Sequence, residues 1–394
     1  MTNRQSAALV IVGAGAYGLS CAFHISELDP KAKVMVLDAG EFASGASGRN
    51  GAGFRMQWAL EFNIRLSQES IRFFEDAVQC LDYPDGIDLK QDGYLMLAHS
   101  KASMAQLQKG YEMQQAWGVP SEVVSADDCV RMVPALNRDV VVGGTFCGKD
   151  GSASPFLWLD ALLRASRRNG VDVRYRTRVI KVEKQGDGFI VTTDAGQIAA
   201  AKVLLCTDWA VPQLLGPMGV DLPITGLPEE ILVTEACAPR IGPTIISMDN
   251  HIAVTQVGRG NIVLTVTRDR ERGDDLSHTP DFLGYSARKL HGFIPGIDDV
   301  RILRSWAGVS SETPDMQAVL GESDIEGVFV AVSAYKGFMT SPAVGRVMSQ
   351  LLIYGNANDP VVEPLHPRRF QTGELVPEPL TNQDLSGGVG SKKH

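Results

Sequence analysis

The chain is poor in the residues that mark disulfide scaffolds, metal proteins, membrane proteins and nucleic-acid binders. Its 394 residues carry only six cysteines, Cys21, Cys80, Cys129, Cys147, Cys206 and Cys237. They are scattered, form no C-x-x-C pair, and share no zinc or iron–sulfur spacing with histidine or each other. They read as reduced, mostly buried thiols of a cytoplasmic protein. No block of Lys and Arg interrupts a chain whose net charge is −9. A nucleic-acid partner is therefore not expected, because displacing counterions needs clustered cations. The first apolar run is too short to span a membrane, and what precedes it lacks the plan of a signal peptide. No internal repeat is present. The one low-complexity stretch is the glycine-rich end, Leu380–His394, which is expected to be disordered. Hydrophobic content of 44% and charged content of 21% leave a globular enzyme with a full core, long enough for two or three domains.

What is present is concentrated in Ala8–Asp38. Ala8-Leu9-Val10-Ile11-Val12 reads as a buried parallel strand, and Gly13-Ala14-Gly15-Ala16-Tyr17-Gly18 has the spacing G-x-G-x-x-G. A helix follows, then a second strand, Val34-Met35-Val36-Leu37, that ends on Asp38. Gly13 allows a sharp turn, Gly15 lets a pyrophosphate approach the backbone, and Gly18 lets the helix lie on the strand. The helix N-terminus offers free N–H groups to phosphates. Asp38 stands about 20 residues after the last glycine, where an acid accepts from a ribose hydroxyl. The pattern predicts a dinucleotide site. The glycine-rich segment from Ala39 through Ser47, Gly48, Arg49, Asn50, Gly51 and Ala52 to Gly53 predicts backbone pressed against a large flat ligand, since it leaves directly from the acid-bearing strand.

Further along, Glu61–Leu81 reads as one helix, Tyr94–Leu97 as a strand, and 101–117, 125–132 and Phe156–Arg168 as helices. Val171–Val173, Val179–Glu183, Phe189–Thr193, Gln197–Ala200 and Val203–Cys206 read as strands, with Thr207 and Trp209 at the end of the last. Glu230–Glu235, His251–Val257 and Asn261–Thr267 follow as strands and Asp281–Phe293 as a helix. Val328–Val332 reads as a buried strand, then a loop Ser333–Thr340, then a helix Pro342–Tyr354 capped by Ser341.

Several of these pieces together resemble the FAD-dependent amine and amino-acid oxidoreductases, the D-amino acid oxidase-like family. They are Val10–Gly18, Val36–Gly53, Arg304-Ser305-Trp306-Ala307-Gly308, Thr313-Pro314-Asp315 and Gly337-Phe338-Met339-Thr340-Ser341-Pro342-Ala343-Val344-Gly345. The likeness is strongest to sarcosine oxidase β subunits and dye-linked L-proline dehydrogenase β subunits, and runs from about residue 7 to about 373. It implies an α/β fold: a Rossmann-like FAD domain of the glutathione-reductase type with a discontinuous α+β substrate domain. The FAD domain takes residues 1–82, 150–220 and 300–372, the substrate domain 83–149 and 221–299, and 373–394 form a partly disordered tail. Noncovalent FAD is implied at Gly13–Gly18, Asp38, Ala39, Ser47–Ala52, Val179, Thr207, Trp209, Gly308, Asp315 and Lys336–Thr340. The implied chemistry is hydride removal from the carbon beside the amine of a small amino or imino acid, of proline, sarcosine, glycine or opine type. Arg55 is the candidate carboxylate clamp, because guanidinium binds carboxylate bidentately. Lys336, Tyr335 and His251 are further candidates. For all four a plain packed or solvated role stands beside the catalytic one.

The chain also departs from the family pattern. Where relatives have Ser-Gly-His-Gly-Phe it reads Ala334-Tyr335-Lys336-Gly337-Phe338, which predicts a different charge near the flavin. Relatives that react fast with oxygen carry a lysine in the strand that here reads Asn261-Ile262-Val263-Leu264-Thr265, so a dehydrogenase is expected. No histidine lies within Asp150–Pro155, so covalent FMN is not expected. Noncovalent FMN at a subunit interface, an α subunit and a small ferredoxin-like subunit remain implied. Three other readings stay open: a flavin 2-hydroxy-acid dehydrogenase, a non-catalytic flavin relay subunit, and a nicotinamide-only dehydrogenase.

Overall fold

The computed structural model describes residues 5–268, 270–297 and 299–380. Two eight-stranded sheets organise the chain. The first is built on parallel pairing: Gln5–Val12 lies between Gly196–Leu205 and Val34–Leu37, with Val328–Val332 and Asp172–Arg174 beyond them. Its central strands are apolar where both faces are covered, at Leu9–Val12, Val34–Leu37 and Val203–Leu205. Leu9 and Ile11 point to one face, where they share a core with Leu19 and Ile25 of the helix Ala16–Leu28 and Val344 and Val347 of the helix Gly337–Tyr354. Val10 and Val12 point to the other, against Val203, Leu205, Leu214 and Val330. The two helices cross closely. A side chain on Gly345 would come within 2.2 Å of the Ser20 hydroxyl, so glycine is required where they meet.

The second sheet runs Ile302–Glu312, Thr225–Ala236, Asn261–Val266, Ile252–Gln256, Thr244–Ser247, Tyr94–Ala98, Gly143–Cys147 and Ser121–Ser125. Its pairings are antiparallel except that between Thr244–Ser247 and Tyr94–Ala98. Alternation of side chains splits it into two faces. Leu95, Leu232, Ile245, Val254 and Leu264 pack with Phe282 and Phe293 on one. The other face carries one row in register across five strands, Ile231, Thr265, Ala253, Ile246 and Met96.

Four expectations are corrected. The helix expected over 61–81 breaks at Asp76 into Glu61–Glu75 and Ala77–Cys80. The strands expected at 197–200 and 203–206 are one, Gly196–Leu205, because its first half pairs with both Gly188–Thr193 and Gln5–Val12. The last long helix starts at Gly337, so Ser341 does not cap it and Pro342 lies inside. Proline removes the bond that would reach Phe338, and the Ser341 hydroxyl replaces it by donating to the Phe338 carbonyl at 2.9 Å. Finally, Leu380 is not disordered: it is fully buried, as is Glu378. The rest of the expected disordered stretch, residues 381–394, lies outside the described residues. Among the described residues no helix is long and apolar enough to cross a membrane.

Candidate functional site

A cavity of about 560 Å³ lies between the two sheets. This falls within the range of small-molecule sites. One end is built by the glycine motif. Gly13 has φ of +106°, and a side chain there would meet the Cys206 carbonyl at 2.5 Å. Gly18 closes the turn, since its Cβ would overlap the Gly13 carbonyl at 1.9 Å. Gly15 stands at the helix N-cap and lines the cavity, with no side chain to cover the helix end. Its bareness also admits Ser47, whose hydroxyl accepts from the Ala16 N–H at 2.9 Å. Asp38 lines the same end and accepts from the N–H of Ala14 at 2.7 Å and of Gly40 at 2.8 Å.

The segment 39–53 forms the next stretch of wall. Asn50 holds it by donating to the Ser47 carbonyl at 2.6 Å and accepting from the Ala52 N–H at 2.7 Å. Ala52 is in left-handed backbone at φ +67°. The Trp306-Ala307-Gly308 motif acts on this segment. Trp306 donates its indole N–H to the Arg49 carbonyl at 3.0 Å, and Arg49 donates to the Ala307 carbonyl at 2.8 Å. Gly308 leaves room for Arg49, which its Cβ would crowd at 3.2 Å.

A second helix N-terminus also borders the cavity, through Gly337, Phe338 and Met339. Such an end favours negative charge. The turn before it is strained, with Ala334 at φ +43° and Tyr335 at +61°. Asp208, itself at φ +52°, holds it down. Its carboxylate accepts from the N–H and hydroxyl of Ser333, both at 2.9 Å, and from the N–H and hydroxyl of Ser311 at 3.1 and 2.7 Å. One side chain thus ties the ends of three strands together, which is how strained backbone persists at a site.

At the far end the wall is formed by Arg55, Trp58, Tyr335 and four members of the second sheet's register row, Ile231, Thr265, Ala253 and Ile246, with Tyr94, Thr255 and Val263. Arg55 is 2% exposed. Its guanidinium lies 3.9 Å over the Trp58 ring, and donates to the Met96 sulfur at 3.2 Å and the Leu380 carbonyl at 2.7 Å. No carboxylate among the described residues pairs with it. A buried cation without a counter-ion is costly. Burial pushes the Tyr94 hydroxyl pKa well up, so it keeps its proton.

The structure gathers most of the expected residues at this cavity, including Val179, Thr207, Trp209 and Gly51. It does not bring all of them there. The Lys336 side chain turns into the body, where its ammonium donates to the Met316 carbonyl and to Gln317 at 3.2 Å. Lys336 therefore stands behind the wall rather than on it, 4.3 Å from the Tyr335 ring, and burial lowers its pKa to about 7. Asp315 is buried in an ion pair with Arg369 at 2.8 Å. Thr340 bonds the Tyr17 hydroxyl at 2.8 Å behind the wall. His251 sits in the turn before Ile252–Gln256, at φ +53°, and does not line the cavity; nor does Gly48. Trp58, Tyr94, Ile246, Thr255, Thr265 and Asp208 were not singled out from the sequence. Only the alternation in Ile252–Gln256 and Asn261–Val266 carried a signal, and it does not say which face meets a ligand.

A family profile described as FAD dependent oxidoreductase (DAO) matches residues 8–351. The chain is 25% identical over 383 residues to the sarcosine oxidase subunit beta of an Arthrobacter species, covering 95% of this chain and 94% of that one. Among solved structures, L-proline dehydrogenase from P. horikoshii superposes with a TM-score of 0.89 at 26% identity, over 95% of this chain and 100% of that one. Glycine oxidase from Geobacillus kaustophilus superposes with a TM-score of 0.82 at 21% identity, over 88% of this chain and 95% of that one. The cavity suits the cofactor such a family uses. The first helix begins on a glycine without a side chain, the Thr207 hydroxyl is buried on the wall without a partner among the described residues, and the space runs from one sheet to the other.

Proposed function

The chain belongs to the FAD dependent oxidoreductase family, and we propose that it oxidises the C–N bond of a small amino or imino acid. In this reading it is the β subunit of a cytoplasmic hetero-oligomeric dehydrogenase. Its partners would be an α subunit and a small ferredoxin-like one, with noncovalent FMN at an interface. The proposed boundaries are residues 1–82, 150–220 and 300–372 for the FAD domain and 83–149 and 221–299 for the substrate domain. The likeness to a sarcosine oxidase subunit beta supports the assembly. The observation that carries the chemistry is Arg55, a buried guanidinium on the cavity wall with no carboxylate partner among the described residues.

The roles of the chain's own residues follow. Gly13, Gly15 and the helix end behind them would hold the pyrophosphate, Asp38 a ribose, and the N-terminus at Gly337 the ring's electron-rich edge. FAD, when bound, would supply the acceptor for the hydride of the carbon bearing nitrogen. Arg55 binds the substrate carboxylate through its remaining N–H groups and so aims that carbon. Ile231, Ile246, Ala253 and Val263 cover the substrate's carbon frame and keep water out. The nitrogen lone pair makes the hydride leave, and water hydrolyses the imine outside the chain's machinery. An alcohol substrate would need a base. Of the carboxylates that line the cavity, Asp38, Asp208 and Glu229 are engaged by N–H and O–H donors and Glu41 by Arg176, which supports the amine. Val263 supplies no cation for oxygen activation, which supports a dehydrogenase.

The test is anaerobic mixing of the purified flavoprotein with L- and D-proline, sarcosine, glycine, opines and their hydroxy-acid analogues. Loss of flavin absorbance with an amine and not its hydroxy analogue is expected, with slow recovery in air. Bleaching by hydroxy acids alone would refute the amine reading, and fast recovery would refute the dehydrogenase assignment. No bleaching by any compound would favour a relay subunit.

A further inference from the structure

Residues 374–380 run as an irregular strap from the turn at Asp315–Gln317 to the cavity face of the second sheet. Val376 donates its N–H to Asp315 at 3.3 Å and accepts from the Gln317 side chain at 2.9 Å. Glu378 is fully buried and accepts from the Ala59 N–H at 2.8 Å, the Asn63 side chain at 2.9 Å and the Leu380 N–H at 3.1 Å. The Leu380 side chain is fully buried with Tyr94, Met96, Leu107 and Ile246. Its seat is cut by Gly110, inside the helix Lys101–Ala116. A Cβ there would lie 2.2 Å from a Leu380 methyl. Glycine costs a helix interior about 1 kcal/mol against alanine, so this helix gives up stability where the strap docks. The carbonyl of Leu380, the last described residue, accepts from Arg55 Nη2 at 2.7 Å.

The other groups holding the guanidinium, an indole face and a thioether, set its height but fix its rotation weakly. The Leu380 carbonyl is directional. We propose that the strap is a positioning element for carboxylate binding: anchored by Glu378 and the Gly110 seat, the Leu380 carbonyl sets the orientation of the Arg55 fork. This rests on the reading of Arg55 as the substrate's carboxylate clamp. It extends that reading to a segment that touches neither end of the substrate.

The experiment titrates the flavin-loaded protein with anthranilate, and with its neutral isostere 2-aminobenzamide, following the change in flavin absorbance. Gly110→Ala unseats Leu380 while improving the helix, and Glu378→Ala cuts the anchor. Expected for both variants is a tenfold or greater rise in the anthranilate Kd, with 2-aminobenzamide within twofold and flavin content unchanged. Equal weakening of both ligands would make the strap a general wall and overturn the proposal, as would no weakening of either. If the unaltered protein binds the amide as tightly as the acid, or binds neither, the Arg55 reading itself fails and takes this role with it.

Discussion

The two ends of the cavity are built in opposite ways. The cradle at Gly13–Asp38 comes from one continuous stretch, braced by Ser47 and the Cys206 carbonyl, and it works through backbone: N–H groups, a helix that begins on glycine, carbonyls that a Cβ would strike. The wall at Arg55 is assembled from segments far apart in the chain. It joins Arg55 and Trp58 to Tyr94, to Thr255 and Thr265, to Tyr335 and, behind Arg55, to Leu380. A backbone cradle tolerates little change and serves a ligand common to many proteins. A side-chain wall can be altered residue by residue without disturbing the cradle, and that is where substrate choice can reside.

The contrast can be broken most severely at the cradle. Gly13→Ala forces a Cβ onto backbone at φ +106°, 2.5 Å from the Cys206 carbonyl. The dihedral alone costs about 1–3 kcal/mol. Loss of bound flavin and a lowered Tm are expected, read by absorbance and thermal unfolding. A variant that keeps its flavin would show the cradle to be as tolerant as the wall. At the wall, Arg55→Met is expected to leave flavin content intact while raising KM for the amino acid. Truncating a buried charge partner costs about 2–5 kcal/mol, so at least about 30-fold in affinity. Arg55→Lys should recover little, because the fork is lost. Flavin loss in either variant would erase the distinction between the two ends.

The smallest effect separates the wall from the packing behind it. Lys336 is fully buried with its pKa lowered to about 7 from an unfolded value near 10.5. Below pH 7 the folded chain must carry this ammonium out of water. Between about pH 7 and 10 the unfolded chain binds the extra proton, so this group makes stability rise with pH. The slope is roughly 1 kcal/mol per pH unit. Unaltered protein should therefore gain stability relative to Lys336→Met from pH 7 to 9 in urea melts. Anthranilate affinity should respond little, because the ammonium does not line the cavity. A parallel change in affinity would put Lys336 back at the site.

Legibility followed the same division. The strand, the three glycines, the helix and Asp38 were readable because each acts through local backbone geometry, which residue type and spacing specify. The W-A-G motif was visible as a resemblance, but its task was not. That Trp306 and Ala307 clasp Arg49 depends on a strand some 250 residues away in sequence. Lys336 and Asp315 looked like site residues by their place in motifs, yet both point into the body, where Lys336 donates to a carbonyl and an amide and Asp315 pairs with Arg369. Leu380, the first residue of the expected tail, was misread for a different reason. The tail's composition is that of a disordered end, and nothing local shows that Gly110 leaves a seat for Leu380.

By itself the sequence determined the dinucleotide cradle, the mixed α/β class and the helices and strands that bring both chain ends to one site. Those features rest on turn geometry, periodicity and burial, which act over a few residues. Only the tertiary structure decided which face of the second sheet meets the cavity, that a buried arginine lacks an ionic partner among the described residues, and that residues 374–380 reach it. These depend on strand register and on contacts between distant segments, where a one-residue slip would turn Thr265 and Ile246 away from the cavity and Leu264 and Ile245 toward it.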